Sequence, residues 1–319
     1  MISTNSPASR QRGIVLLLIL VGLLLVSSSL LLTVLNNNTS SLRREKSTSA
    51  ALLEAKEALI AFATLSGEHY GDGGPGPGHL FCPDSNGNGL INSPCGNNAL
   101  GRLPRTVTTA DSELAISDLN GNSDQQFWFG LDDSLRNSPA TPFNTMTVTN
   151  LTVDGTSGVA AVLIAPGIGL ASQSRSSNTF SDYLEGPNSS APAFVSSNNS
   201  SPTTFNDRVL SIGFNEIISP VTAIITETIK IELDLYHGVS GSYPDDTSFD
   251  DPLLKDFPTV MVEAIAAGDI PAWFVSNDWL NLTNYVRVNT DAATLNFNGC
   301  GITYTVTANV DISRDTRQC

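Results

Sequence analysis

Residues 14–35, IVLLLILVGLLLVSSSLLLTVL, run for 22 positions without a charge. As an α-helix at ~1.5 Å per residue the run is ~33 Å long, enough to cross a hydrocarbon core of ~30 Å. A removable secretory signal has an apolar region of only ~7–15 residues with a small-residue cleavage site behind it. Here the run is longer and polar NNNTSS follows it, so the segment reads as a retained single-pass anchor. The rest of the chain suits an exported position. Its 16 Lys+Arg against 31 Asp+Glu give a formal net charge of −15, which excludes a nucleic-acid binder working through a basic patch. Charged residues make up 15%, well under the ~25% of an average soluble domain. Asn, Ser, Thr and Gly take their place, a composition for loop-rich β structure.

Basic residues flank the run on both sides, Arg10 and Arg12 before it and Arg43, Arg44 and Lys46 after it, so positive-inside counting does not orient the chain. Cysteine usage does. The four cysteines fall in two sequence-local pairs, Cys82 with Cys95 and Cys300 with Cys319, and show no C-x-x-C spacing or nearby histidine cluster of a zinc site. Two disulfides in an oxidising compartment account for them, although four cysteines allow three pairings. Residues 36–319 are therefore expected in a periplasm or outside the cell.

Beyond the run, residues 50–65 place Leu52, Ala55, Leu59, Phe62 and Ala63 on one helical face, with Glu54, Glu57 and Thr64 opposite and Lys56 intruding on the apolar side. No Pro or Gly interrupts residues 36–49, so a two-part helix ~75 Å long is expected from residue 14 to 65. The stretch 67–78, GEHYGDGGPGPG, then breaks the chain; its G-x-G-x-x-G lacks the preceding strand and following helix of a dinucleotide site. Strands are expected at 126–130, at 146–153 from alternating Met146, Val148 and Leu151, and at 158–165, whose near-continuous apolar character implies cover on both faces. Residues 169–206, rich in Ser, Asn, Thr and Pro, read as a long surface loop or connection with little to bury. Over 217–236 the pattern ties: Ile217, Val221, Ile224, Ile225, Ile229 and Tyr236 share a helical face, yet 229–235 alternate as a strand would. Further strands are expected at 285–288 and 302–310.

The polar leader ends Arg10-Gln11-Arg12-Gly13, and the apolar run begins at once with Ile14. This arrangement resembles the class III signal of type IV pilins and type II secretion pseudopilins. The resemblance implies that a prepilin peptidase cuts after Gly13 on the cytoplasmic side, N-methylates Ile14 and leaves the helix in place. It also tips the tie at 217–236 towards a helix, because YHGVSGSYPDD resembles the end of a pilin spine; residues 65–70 end similarly, and the echo would mean two pilin-like lobes. The fold class so implied is α+β: a long hydrophobic and amphipathic spine helix packed on antiparallel β-sheet, with a large loop-rich globular part. The segments are a leader at 1–13, a transmembrane helix at 14–35, an amphipathic spine at 36–66, a β-rich lobe at 67–168, a connection at 169–206 and a helix-plus-β lobe at 207–319. The departure is at the fifth mature position, where the family usually carries glutamate and this chain has Leu18.

The chemistry-bearing motif is 84–92, DSNGNGLIN. Oxygen side chains from Asp84, Asn86 and Asn88, the Leu90 carbonyl and Asn92 match the front of a calcium loop, while its bidentate twelfth position is Cys95. Calcium is thus one expectation, with Asp72 or Asp111 recruited to help; the other is an Asx/Gly turn stapled by Cys82 and Cys95. A looser repeat of the spacing lies at 118–124. No catalytic motif includes His69, His79 or His237, the first two reading as loop surface, and no enzyme is expected. Asp245, Asp246, Asp250 and Asp251 read as a solvated loop; Trp128, Trp273 and Trp279 read as core. The resemblance implies a structural minor subunit of a type IV filament or type II secretion machine. Its partners would be the prepilin peptidase, the inner membrane and other major and minor pilins or pseudopilins, met through the N-terminal helix. A membrane-anchored periplasmic binding protein or adhesin that enters no filament is the rival.

Overall fold

The computed structural model describes residues 43–70, 74–97, 99–108, 113–115, 126–171, 173–175, 179–196, 204–246, 255–315 and 319. The leader, Gly13, Ile14, Leu18 and the whole 14–35 run lie outside the described residues. Met1–Ala50 form one unit, of which residues 43–50 are described and helical; Ala51–Cys319 form the other. Among the described residues no helix is long and apolar enough to cross a membrane. The second unit is mixed α+β, and everything below belongs to it.

Its first element, α1 (residues 51–69), buries Leu52, Ala55, Leu59, Phe62 and Ala63 and exposes Glu54 and Glu57, the division that helical spacing predicts. Helix continues through Gly67 instead of stopping there. A Cβ at Gly67 would lie 3.1 Å from Pro77 Cδ and 3.3 Å from Trp273 Nε1, so this glycine serves close packing rather than termination. Lys56, the intruder on the apolar face, is held there by its partners: Nζ donates to Ser211 O at 2.9 Å and to Glu216 Oε2 at 2.7 Å.

A six-stranded sheet follows from β1 (Ala99–Arg102), β4 (Trp128–Leu131), β5 (Leu151–Val153), β6 (Thr156–Ala165), β7 (Ala193–Phe194) and β8 (Arg208–Gly213). A separate hairpin pairs β2 (Thr106–Thr108) with β3 (Glu113–Ala115). The centre of the large sheet is β6: β4 and β5 pair along successive stretches of one of its edges and β8 along the other, all antiparallel. The β5–β6 turn is Asp154-Gly155, with φ of 52° and 76°, the left-handed pair that matches strand twist in a two-residue hairpin. From Val159 to Ala165 β6 is buried throughout, as its apolar run implies. The 146–153 expectation is cut down: only Leu151–Val153 is strand, and Met146 and Val148 are 59% and 75% exposed. The reason lies in Asn144, whose side chain accepts the Met146 N–H and whose N–H is taken by Thr147 Oγ1, closing a local turn instead of a ladder.

Helix α2 (Phe214–Ser240) resolves the tie at 217–236. Ile218, Val221, Ile225, Ile229 and Leu233 are fully buried while Ile231 and Leu235 are 51% and 60% exposed, a 3.6-residue period that a strand could not produce. Glu216 accepts the Gly213 N–H at the start, and Gly241, at φ 76°, closes the end. The chain then forms α3 (Phe257–Ala267), α4 (Ala272–Ser276) and α5 (Trp279–Leu282), none among the elements expected from sequence. A four-stranded antiparallel meander ends the fold: β9 (Thr283–Asn289), β10 (Ala292–Phe297), β11 (Thr303–Thr307) and β12 (Val310–Arg314).

One apolar cluster joins the buried face of α1, the inner faces of both sheets and helices α2 to α5. A second lies on the other face of the large sheet, where Leu184 and Phe194 cover Trp128, Leu151, Val159, Val162 and Ile164. The 169–206 stretch is therefore no bare surface loop: among its described residues, Leu184, Phe194 and Phe205 are buried together with polar Glu185 and Asn188.

Candidate functional site

The loop at 84–92 is tied down before it turns. Asp84 and Arg102 of β1 exchange backbone hydrogen bonds at 2.9 and 2.7 Å, and a Cβ at Gly101 would lie 2.6 Å from Asp84 O, so only glycine allows this approach. The Asp84 side chain, 1% exposed, organises the turn. Its Oδ1 accepts the Asn86 and Gly87 N–H groups at 3.1 and 2.7 Å, and its Oδ2 accepts Gly89 N–H at 2.7 Å. Two residues on, Asn86 Oδ1 accepts Asn88 N–H and Asn88 Oδ1 accepts Leu90 N–H. Asn92 Oδ1 then reaches back to Ser85 N–H at 3.0 Å. Gly87 and Gly89 supply the left-handed φ values of 76° and 83°. Cys82 and Cys95, with Cα atoms 5.4 Å apart and sulfurs at bonding distance, close the base.

For calcium, the donors fit in type, since every one is an oxygen. In charge they amount to one carboxylate: among the described residues no three His, Cys, Asp or Glu side chains gather, and Asp72, Asp111 and the 118–124 repeat lie outside the described residues. As drawn by its hydrogen bonds, the loop is a succession of Asx turns on one buried carboxylate.

Next to it, His79 is buried, not on the loop surface as expected. Nδ1 lies 3.1 Å from Gly76 O and Nε2 2.8 Å from Thr141 O. Burial holds its pKa below the ordinary imidazole value against the pull of the two carbonyls. A neutral ring carries one N–H and so donates to one of the two carbonyls at a time, which ties it to backbone at either Gly76 or Thr141. The acidic stretch departs from expectation at Asp245, while Asp246 is exposed. Asp245 is buried and pairs with Arg287 at 2.7 Å, whereas Asp250 and Asp251 lie outside the described residues. All three tryptophans pack in the interior. At the other end, Cys300 and Cys319 lie with Cα atoms 4.3 Å apart and sulfurs at bonding distance. The turn before Cys300 seats Gly299 against Thr145 O and Met146 Sδ, which docks the meander on the 144–147 turn.

Sequence reading missed two polar tethers. One is Lys56 with Glu216, separated by 160 positions, signalled only by a lysine on an apolar face. The other is Glu185 with Asp207, for which no local pattern gives a signal. No family of known proteins, no curated protein and no solved structure matches this chain.

Proposed function

We propose that this chain is a pilin-like minor subunit of a type IV filament or type II secretion machine, held in the inner membrane with its globular part in the periplasm. The observation that carries the proposal is the leader Arg10-Gln11-Arg12-Gly13 set directly against an uncharged run that begins at Ile14. An amphipathic helix beyond it, packed through one face on a β-rich body with two cysteine pairs at bonding distance, supports the same reading. The helix would keep the subunit in the bilayer and then pack among the helices of other pilins or pseudopilins. Leu18 refines the place. A buried amine without a carboxylate partner is costly, and a subunit lacking the fifth-position glutamate cannot neutralise a neighbour's amine. It belongs at the tip or in the initiation complex. Calcium enters the proposal at the loop of Asp84, Asn86, Asn88, Leu90 and Asn92, where it would fix the turn.

Mass spectrometry of protein from cells carrying a prepilin peptidase tests the core of the reading. Mature protein is expected to start at a methylated Ile14, and Gly13→Leu to block the cut. A chain that keeps Met1, or starts near Asn36, overturns the proposal in favour of a membrane-anchored binding protein or adhesin. Regular labelling along filament shafts would defeat the tip placement alone.

A further inference from the structure

The described part of 183–195 lies across the outer face of the large sheet, where Leu184 and Phe194 complete the second apolar cluster. Its backbone attachment is slight: β7 contributes two residues, Ala193 and Phe194, paired with Thr152 and Val153. A knot of two carboxyl groups anchors it instead. Asp207, wholly buried, accepts Glu185 N–H at 2.8 Å and Asn188 Nδ2–H at 3.2 Å, both on Oδ2. Glu185 accepts Gln173 Nε2–H at 2.5 Å on Oε1 and the Asn206 and Asp207 N–H groups at 3.1 Å on Oε2. Asn188 Oδ1 in turn accepts Val195 N–H at 2.8 Å. Three of the four carboxyl oxygens are thus served by N–H donors. The fourth, Asp207 Oδ1, is buried with no donor, and the two carboxyl groups are neighbours, each accepting the other residue's backbone N–H. Oδ1 is the one oxygen of the four that no N–H occupies, so a proton there displaces no donor and makes Asp207 a neutral acid beside the Glu185 carboxylate.

We propose that Glu185 and Asp207 share one proton, carried on Asp207 Oδ1, and that this acid–carboxylate pair is a pH-sensitive latch holding 183–195 against the sheet. Burial, with the Glu185 charge adding to it, pushes the Asp207 carboxyl up to about 8. Glu185 is the charge that raises it. Arg175 reaches the pair only through Gln173, whose Oε1 accepts its Nε–H at 2.9 Å. Asp182 and Arg208 flank the pair in sequence, and the sheet face beneath is apolar. Asp154, which holds Ser196 by two hydrogen bonds, is kept below the ordinary carboxylate value by them and stays ionised throughout the relevant range. The closed segment binds one proton more than the open one, so closure is fully favoured below the ordinary carboxylate pKa. It weakens as pH rises, by up to about tenfold in the opening equilibrium per pH unit, and levels off above about 8.

Native-state hydrogen exchange on the full chain in detergent, from about pH 5 to about pH 9 with intrinsic rates divided out, reads this directly. Protection at Leu184, Glu185 and Val195 is expected to fall with that slope, while Leu295 in β10 stays level. Asp207→Asn puts an amide N–H where Oδ1–H stood and is expected to keep the segment closed with the slope gone. Glu185→Gln removes the charge that adds to burial and is expected to leave a slope that levels off at lower pH; a profile unchanged from wild type would overturn the pairing even should the first variant fail to fold. A level wild-type profile overturns the latch, as does an Asp207→Asn profile with the wild-type slope. So does a slope that disappears on adding calcium chloride, which would put a cation where the proton is assigned.

Discussion

Replacing Asp84 by alanine removes one side chain and three hydrogen bonds. The Asn86 and Gly87 amides sit on exposed residues, so water can take over there, at about 0.5 kcal/mol each. The Gly89 bond is buried, and leaving that N–H without an acceptor costs about 1–3 kcal/mol. The sum is about 2–4 kcal/mol, equivalent to a fall in melting temperature of roughly 4–16 °C for a unit of this size. Asparagine is nearly as damaging. Its oxygen can serve Asn86 and Gly87, but its NH₂ then faces the Gly89 N–H, donor against donor. Thermal unfolding of the full chain in detergent, followed by fluorescence of the buried Trp273 and Trp279, measures both variants. Running each with calcium and with chelator separates the turn from the ion. The turn contribution is independent of chelator, whereas bound calcium adds a part that follows mass action, ~2.7 kcal/mol at 100 times its dissociation constant, and that vanishes in both variants. An Asp84→Ala protein within about 0.5 kcal/mol of wild type would refute the assignment of Asp84 as the organiser of the loop.

Lys56 and Glu216 are expected to couple by about 1 kcal/mol in a double-mutant cycle of Lys56→Met and Glu216→Gln. The value is held down by the 44% exposure of the Glu216 side chain, and strict additivity would show the tether to be idle. Removing either cysteine pair is expected to cost about 3 kcal/mol, since both close loops of similar length, 13 and 19 positions apart. Denaturant unfolding of Cys82→Ala/Cys95→Ala and Cys300→Ala/Cys319→Ala checks it, and free thiols in protein recovered from the periplasm would undo the assignment of compartment.

What could be read from the sequence follows from short-range rules. The buried face of α1 follows from a 3.6-residue spacing and the two-sided burial of β6 from an unbroken apolar run; each is a matter of a few adjacent positions. The cysteines were legible as local pairs for the same reason. The Asp84 loop was legible as oxygen donors at alternate positions, because such side chains meet their own backbone two residues on. Helix against strand at 229–235 was undecidable locally, since both periods were present; burial of Ile225, Ile229 and Leu233 against the sheets chose the helix. Helix α3 had its signals in Asp256, Pro258 and Gly268, but lay in a stretch without clear periodicity.

The sequence by itself determined the uncharged run, the short polar stretch before it, the acidic and loop-rich character of the remainder and the faces of its principal helix and strand. Only the tertiary structure decided that Lys56 meets Glu216, that His79 and Asp245 are buried, and that 183–195 is fastened by Glu185 and Asp207. These are contacts between residues 22 to 160 positions apart or environments made by several elements at once. A polar side chain's partner is chosen by the strands and helices that surround it, and no period in the chain encodes that choice.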